Sequence, residues 1–175
     1  MIHPSIDACV QLREQGVTPD NLEKIELKVH PLVLELTGKT EPTDGLQGKF
    51  SVYHGCSVGL IYGRASEDEY ADDVVNDPIV VATRRKVQAQ IDESIHEASV
   101  VATATLTDGT QKQVVVEHAI GSLERAMSNA DLEAKFSGMT NPILGEQQTR
   151  DLLDACWSLG DAADIKRVVQ LSRVS

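Results

Sequence analysis

Aromatic side chains are nearly absent from this chain: one Trp, three Tyr and two Phe make up 3% of its 175 residues. A core without them has to be aliphatic, and Val, Leu, Ile and Ala supply it within an ordinary apolar fraction of 41%. Basic charge is scarce too. Lys and Arg number 16 against 27 Asp and Glu, a net −11. Clustered phosphate-neutralising cations are therefore missing, and neither a nucleic acid nor an anionic membrane is an expected partner. Small anionic ligands stay compatible, because screening over about 8 Å makes a local patch matter more than the total. No run reaches the roughly 18 apolar residues of a membrane span, and MIHPSID has neither the basic nor the apolar region of a signal peptide. Cysteine is limited to Cys9, Cys56 and Cys156, an odd number spread along the chain. That pattern fits reduced thiols in a cytoplasm better than a disulfide framework. The expected location is cytoplasmic.

Motifs for the commonest chemistries are lacking as well. There is no GxGxxG or Walker loop for a nucleotide and no GxSxG elbow for a nucleophilic serine. His54 and Cys56 lie two apart on an expected helix, which puts them on different faces, and no CxxC or HxxxH completes four ligands. No metal and no cofactor is expected.

The length suits a single domain, residues 1–175, large enough for a real core. The chain reads as organised around residues 46–63, LQGKFSVYHGCSVGLIYG. Leu46, Phe50, Tyr53 and Leu60 fall on the three- and four-residue steps of one helix face. Gly48, Gly55, Ser57 and Gly59 are small, and several helical glycines need a packing reason, since each costs about 1 kcal/mol against alanine. The expected reason is a buried central helix approached closely by neighbouring backbones.

Elsewhere, Pro4 opens a helix that Gly16 ends, and Ile25, Leu27 and Val29 alternate with polar residues in a half-buried strand over 23–30. Residues 31–36 read as a turn or one helical turn. Residues 66–73 are acidic and read as short capped helices on a solvated face. Pro78 opens a further helix, and 87–91 alternates as a strand. Asp108 and Gly109 between two β-branched runs make the clearest hairpin, 98–106 with 111–117. Ser128 with Asp131 caps a helix that Asn141 and Pro142 are expected to break, and two more helices are expected over 146–159 and 161–171. The expected class is α+β: about four strands, mostly antiparallel, with helices on one face.

Three side chains stand out as candidates. His3 precedes an expected helix start, where a neutral imidazole can bond a carboxylate or shuttle a proton. Lys49 and Tyr53 are four apart, so on one helix they share a face and can meet one anionic ligand. Spacing alone describes a core tyrosine equally well. The basic cluster Arg84, Arg85 and Lys86 reads as a solvated helix end.

HPSID near the start, then EKIELKVHPLVLELTG, GLQGKFSVYHG, TLTDG, VEHAIGS and SNADLEAKF, in that order, resemble the MmgE/PrpD superfamily. Its members include 2-methylcitrate dehydratase, cis-aconitate decarboxylase and iminodisuccinate epimerase. The resemblance covers the smaller C-terminal lid domain, whereas family members carry a large helical domain ahead of it. It implies proton abstraction beside a carboxylate of a small di- or tricarboxylate, without metal or nucleotide, in a site between the two domains. His3 and Tyr53 match the histidine and tyrosine that the lid supplies to catalysis, and Lys49 matches a carboxylate contact. Three readings follow: a lid that completes such an enzyme beside a helical partner and is inactive alone, a stand-alone binding or self-association domain that kept the fold, or a small independent enzyme. A homodimer is expected of the chain by itself, because a lid cut from its partner leaves an apolar face uncovered.

Overall fold

The computed structural model describes residues 2–174, and the chain divides into two compact units, one up to Ala126 and one from Met127 on. In the first, α1 (His3–Glu14) leads to β1 (Leu22–Val29), then α2 (Pro31–Thr37), α3 (Gly45–Lys49) and α4 (Val52–Tyr62). A 3₁₀ turn (Glu67–Tyr70), α5 (Asp72–Val75) and α6 (Pro78–Arg84) follow, then β2 (Val87–Ile91) and the hairpin β3 (Val100–Leu106) and β4 (Gln111–Val116).

The strands form one mixed sheet in the order β2-β1-β3-β4. β1 pairs antiparallel with β3, and β3 with β4, while β1 and β2 run parallel. The parallel pair needs a crossover, and α2 through α6 provide it. Alternation decides which face is covered. Ile25, Leu27, Val29, Val100, Ala102, Ala104, Val114 and Val116 point to one side and join Ala8, Cys9, Leu12, Cys56 and Leu60 in a single core cluster. Helices α1 and α4 therefore lie on that face, and the α+β expectation holds, with two of three strand pairings antiparallel.

The central helix expected over 46–63 is two helices. Ser51 breaks it: its backbone is extended, it bridges to Gly38, and its side chain accepts the His54 N–H as an N-cap. Leu46 and Phe50 are consequently 70% and 55% exposed, so the single apolar face through Leu46, Phe50, Tyr53 and Leu60 does not exist. The glycine argument does hold. An added Cβ at Gly55 would lie 3.1 Å from Ile2 Cδ1, and one at Gly59 would lie 3.1 Å from the Ile6 carbonyl oxygen. Helix α4 ends at Gly63, whose φ of +72° suits glycine.

In the second unit, α7 (Asn129–Leu144) pairs with α8 (Glu146–Trp157), and α9 (Lys166–Leu171) packs on α8 after a 3₁₀ turn (Leu159–Asp161). Ser128 and Asp131 form the capping box that their spacing predicts. The expected break at Pro142 is absent. A proline so close to the helix end forfeits one hydrogen bond, and α7 runs two residues further to stop at Gly145. The last helix starts at Lys166 rather than 161, since the preceding residues form the 3₁₀ turn and a short irregular link.

Candidate functional site

Two parallel helices define the site. Moving along α1, Ile2 and Ile6 face Gly55, then Ile6 and Cys9 face Gly59, and finally the Arg13 guanidinium donates to the Leu60 and Ile61 carbonyls at 3.1 and 2.6 Å. Both chains thus advance in the same direction, and their N-termini come to the same end. His3 is the first residue of α1 rather than the residue before it, and it is exposed; Tyr53 is the second residue of α4 and half-buried. The helix pair therefore brings His3 and Tyr53 to one edge of the unit. Neither helix carries an acidic residue in its first turn; Ser51 caps α4 with a neutral hydroxyl, so both helix ends keep their partial positive charge. Burial pushes the Tyr53 phenol above its ordinary range, which keeps it protonated at neutral pH.

Lys49 does not share a helix face with Tyr53. It is the last residue of α3, on the far side of the break at Ser51, and its ammonium is paired with Glu67 at 2.7 Å. That pair is exposed and opens readily to another carboxylate.

Behind Tyr53 lies a buried polar cluster that the spacing argument missed. His54 is fully buried, with Nε2 2.9 Å from the Glu69 carbonyl oxygen and its ring edge-on to Tyr70 at a centroid distance of 5.2 Å. A carbonyl only accepts, so Nε2 carries the proton, and Nδ1 is left as a buried acceptor without a partner among the described residues. Burial, aided by the Arg84 charge, pushes His54 below 6.5 against the pull of the Glu69 carbonyl. Burial pushes Tyr70 up to about 12.

Glu69 itself belongs to the run read as solvated, yet it is only 3% exposed. Burial raises its pKa, but hydrogen bonds from Ser66 and Arg64 outweigh that and hold the carboxyl below its usual range. Arg84 departs from the solvated helix end in the same way. It is 3% exposed, donates to the Val75 carbonyl and lies 3.6 Å from Glu41. Lys86 reaches the Pro19 and Leu22 carbonyls. Ser66 and Glu69 stand at capping-box spacing, the one signal in the sequence that separates Glu69 from its acidic neighbours.

The family model of the MmgE/PrpD C-terminal domain matches residues 1–159. The chain belongs to that family. Its relatives include 2-methylcitrate dehydratase of Salmonella typhi, 28% identical over 165 residues that cover 85% of this chain and 34% of the relative. The 2-methylcitrate dehydratase of Escherichia coli (strain K12) is 26% identical over 136 residues, 69% of this chain and 28% of the relative. The mitochondrial 2-methylcitrate dehydratase of Yarrowia lipolytica is 25% identical over 157 residues, 83% of this chain and 30% of the relative. The chain thus spans about a third of the length of these relatives. No helix of the described residues is long and apolar enough to cross a membrane.

Proposed function

We propose that this MmgE/PrpD C-terminal domain is the lid of a lyase that removes water from 2-methylcitrate or a similar small tricarboxylate. In this reading it works beside a helical N-terminal domain, without metal or nucleotide, and is inactive alone. The observation that carries the proposal is the common end of α1 and α4, where His3, Tyr53 and two helix N-termini without an acidic first turn lie. Dehydration takes a proton from a carbon beside a carboxylate and gives a proton to the departing hydroxyl. The protonated Tyr53 phenol is suited to the second task, and His3 to orienting or exchanging a proton with a carboxylate. The helix ends favour the negative charge that the substrate brings. Lys49 contributes once a substrate carboxylate replaces Glu67.

The test is a chain joined to a helical MmgE/PrpD N-terminal domain, assayed for water loss from 2-methylcitrate, with the 175-residue chain alone as control. The joined protein is expected to turn over and the lone chain to stay silent. His3→Ala and Tyr53→Phe should each lower kcat and kcat/KM together, by about 10²-fold or more, with the melting temperature unchanged. A Tyr53→Phe protein that melts early yet turns over normally makes Tyr53 a core residue and refutes the assignment.

A self-associating domain is the second reading. A groove of about 380 Å³ on the second unit, lined by Leu132, Phe136, Met139, Leu153 and Trp157, favours it. In that reading the chain is a homodimer in the cytoplasm, and light scattering showing a monomer at millimolar protein rejects it.

A further inference from the structure

His54 is a fully buried imidazole that no step of the proposed reaction uses, and its ring joins three elements of the site. It follows Tyr53 directly on α4. Its Nε2 donates at 2.9 Å to the Glu69 carbonyl oxygen, on the 3₁₀ turn whose first residue, Glu67, holds Lys49. From a third side comes α3: a Cβ added to Gly48, the residue before Lys49, would lie 3.3 Å from His54 Cδ2 and 3.3 Å from Tyr70 Cδ1. Backbone bonds close the same circuit. The Gly48 carbonyl accepts from the Ser51 N–H at 3.0 Å, and the Ser51 hydroxyl accepts from the His54 N–H at 3.1 Å. We propose that His54 is the positioning residue of this site: its bond to the 3₁₀ turn, with the ring seated against α3, fixes where α4 presents Tyr53, and the ring itself does not meet substrate.

The inference rests on Tyr53 being the proton donor. An aliphatic side chain would fill the same space without the desolvation cost, so packing alone does not account for a buried imidazole. What the imidazole adds is a directed bond. Burial holds the ring neutral at neutral pH, so it donates from one nitrogen only, and the acceptor it meets is the Glu69 carbonyl. A bond in so dry a place is stronger than the same bond in water. A proton donor has to stand within hydrogen-bond reach of the atom it protonates, and misplacement by about 1 Å costs on the order of 10²-fold in rate. Lys49 depends less on the ring, because a flexible four-carbon stem carries its charge.

The test has two arms. In the first, the 175-residue chain is labelled with 3-fluorotyrosine, and the fluorine resonance of Tyr53 is identified by its loss in Tyr53→Phe. His54→Leu and His54→Gln both remove the ring, but only glutamine can still donate to the Glu69 carbonyl. Their Tyr53 resonances should therefore differ. Should the leucine variant not fold, Gly48→Ala takes its place: it presses on the ring, removes no polar group and should displace the native Tyr53 resonance. In the second arm the chain joined to a helical N-terminal domain is assayed. His54→Leu is expected to lower kcat on the order of 10²-fold with KM little changed, to cost nothing further in a Tyr53→Phe background, and to be rescued by glutamine. A merely structural histidine would lower the melting temperature and cost the same in both backgrounds. Identical Tyr53 resonances in the leucine and glutamine variants, a Gly48→Ala chain with the native resonance, a kcat loss that adds in full to that of Tyr53→Phe, or a glutamine variant as impaired as leucine overturns the proposal. Normal turnover by Tyr53→Phe instead rejects Tyr53 as the donor, and the fluorine arm then decides by itself whether His54 positions it.

Discussion

Gly55 and Gly59 both face α1, yet replacing each by alanine should have different results. Alanine improves the helix by about 1 kcal/mol at either position. The opposing cost is the space a methyl takes, about 1–3 kcal/mol in a packed core. At Gly55 the new Cβ meets Ile2 Cδ1 and Ile6 Cγ1, each at 3.1 Å. These are side-chain atoms, and Ile2 is only half-buried, so a rotamer change relieves the contact. Gly55→Ala should therefore stay within about 1 kcal/mol of the native stability. At Gly59 the nearest atom is the Ile6 carbonyl oxygen, at 3.1 Å. It is held within α1, and α1 is anchored through Ala8, Cys9 and Leu12 in the core, so the whole helix has to give. The cost then sits at the upper end of the range, for a net loss of about 1–2 kcal/mol. Urea unfolding followed by circular dichroism, with a common m-value, measures both. A Gly59→Ala protein as stable as the native one, or a larger loss at Gly55 than at Gly59, would refute the packing argument.

His54 makes stability depend on pH. Its folded pKa lies below the unfolded 6.5, so the unfolded chain binds the extra proton; stability is full above about pH 6.5 and falls as pH drops below it, by at most about 1.4 kcal/mol per pH unit for one proton. His54→Gln keeps a donor for the Glu69 carbonyl and should flatten the pH profile of urea midpoints; an unchanged profile removes His54 as the cause. Glu67→Gln breaks an exposed pair and should change stability by less than about 1 kcal/mol. In the joined enzyme it should lower KM with kcat unchanged, and a raised KM would show that Glu67 does not compete for Lys49. Gly109→Ala forces φ of +84° on alanine with no atom within 4 Å of the new Cβ, so its cost, about 1–2 kcal/mol by urea melt, should be conformational alone.

The strands were legible because their periods are simple. Ile25, Leu27 and Val29 alternate without interruption, and Asp108 accepts from the Thr110 N–H at 2.8 Å to close the hairpin turn that Gly109 completes. The crossover that makes β1 and β2 parallel is a long-range fact, and neither strand's own residues encode it. Apolar spacing alone describes 46–63 as one helix, whereas capping divides it. Ser51 before Val52 is an N-cap signal, and giving it that weight divides 46–63 where the chain divides. Pro142 erred in the opposite direction, since a breaker near a helix end costs too little to stop it.

The candidate site was legible in part, and the reason is physical. His3 and Tyr53 stand out by position and spacing and match the resemblance, and what brings their helices together is a set of contacts between residues some fifty positions apart, Ile2 with Gly55 and Arg13 with Leu60 among them. No periodicity within α1 or α4 reports that they lie parallel; the glycines report only that something comes close. Lys49 illustrates the reverse error. Its four-residue distance from Tyr53 means one face only if one helix contains both, and Ser51 ends that premise. The buried cluster of His54, Glu69 and Arg84 was hidden because a charged residue is read as solvated until its partners are known. Those partners are a backbone carbonyl for His54, a capping serine and Arg64 for Glu69, and the Val75 carbonyl for Arg84. His54 lies in the first turn of α4 beside Tyr53, and its bond to the Glu69 carbonyl ties that turn to the 3₁₀ segment. Burying such groups is costly, and the bonds they make to backbone carbonyls and to one another are what hold those groups in place around α4.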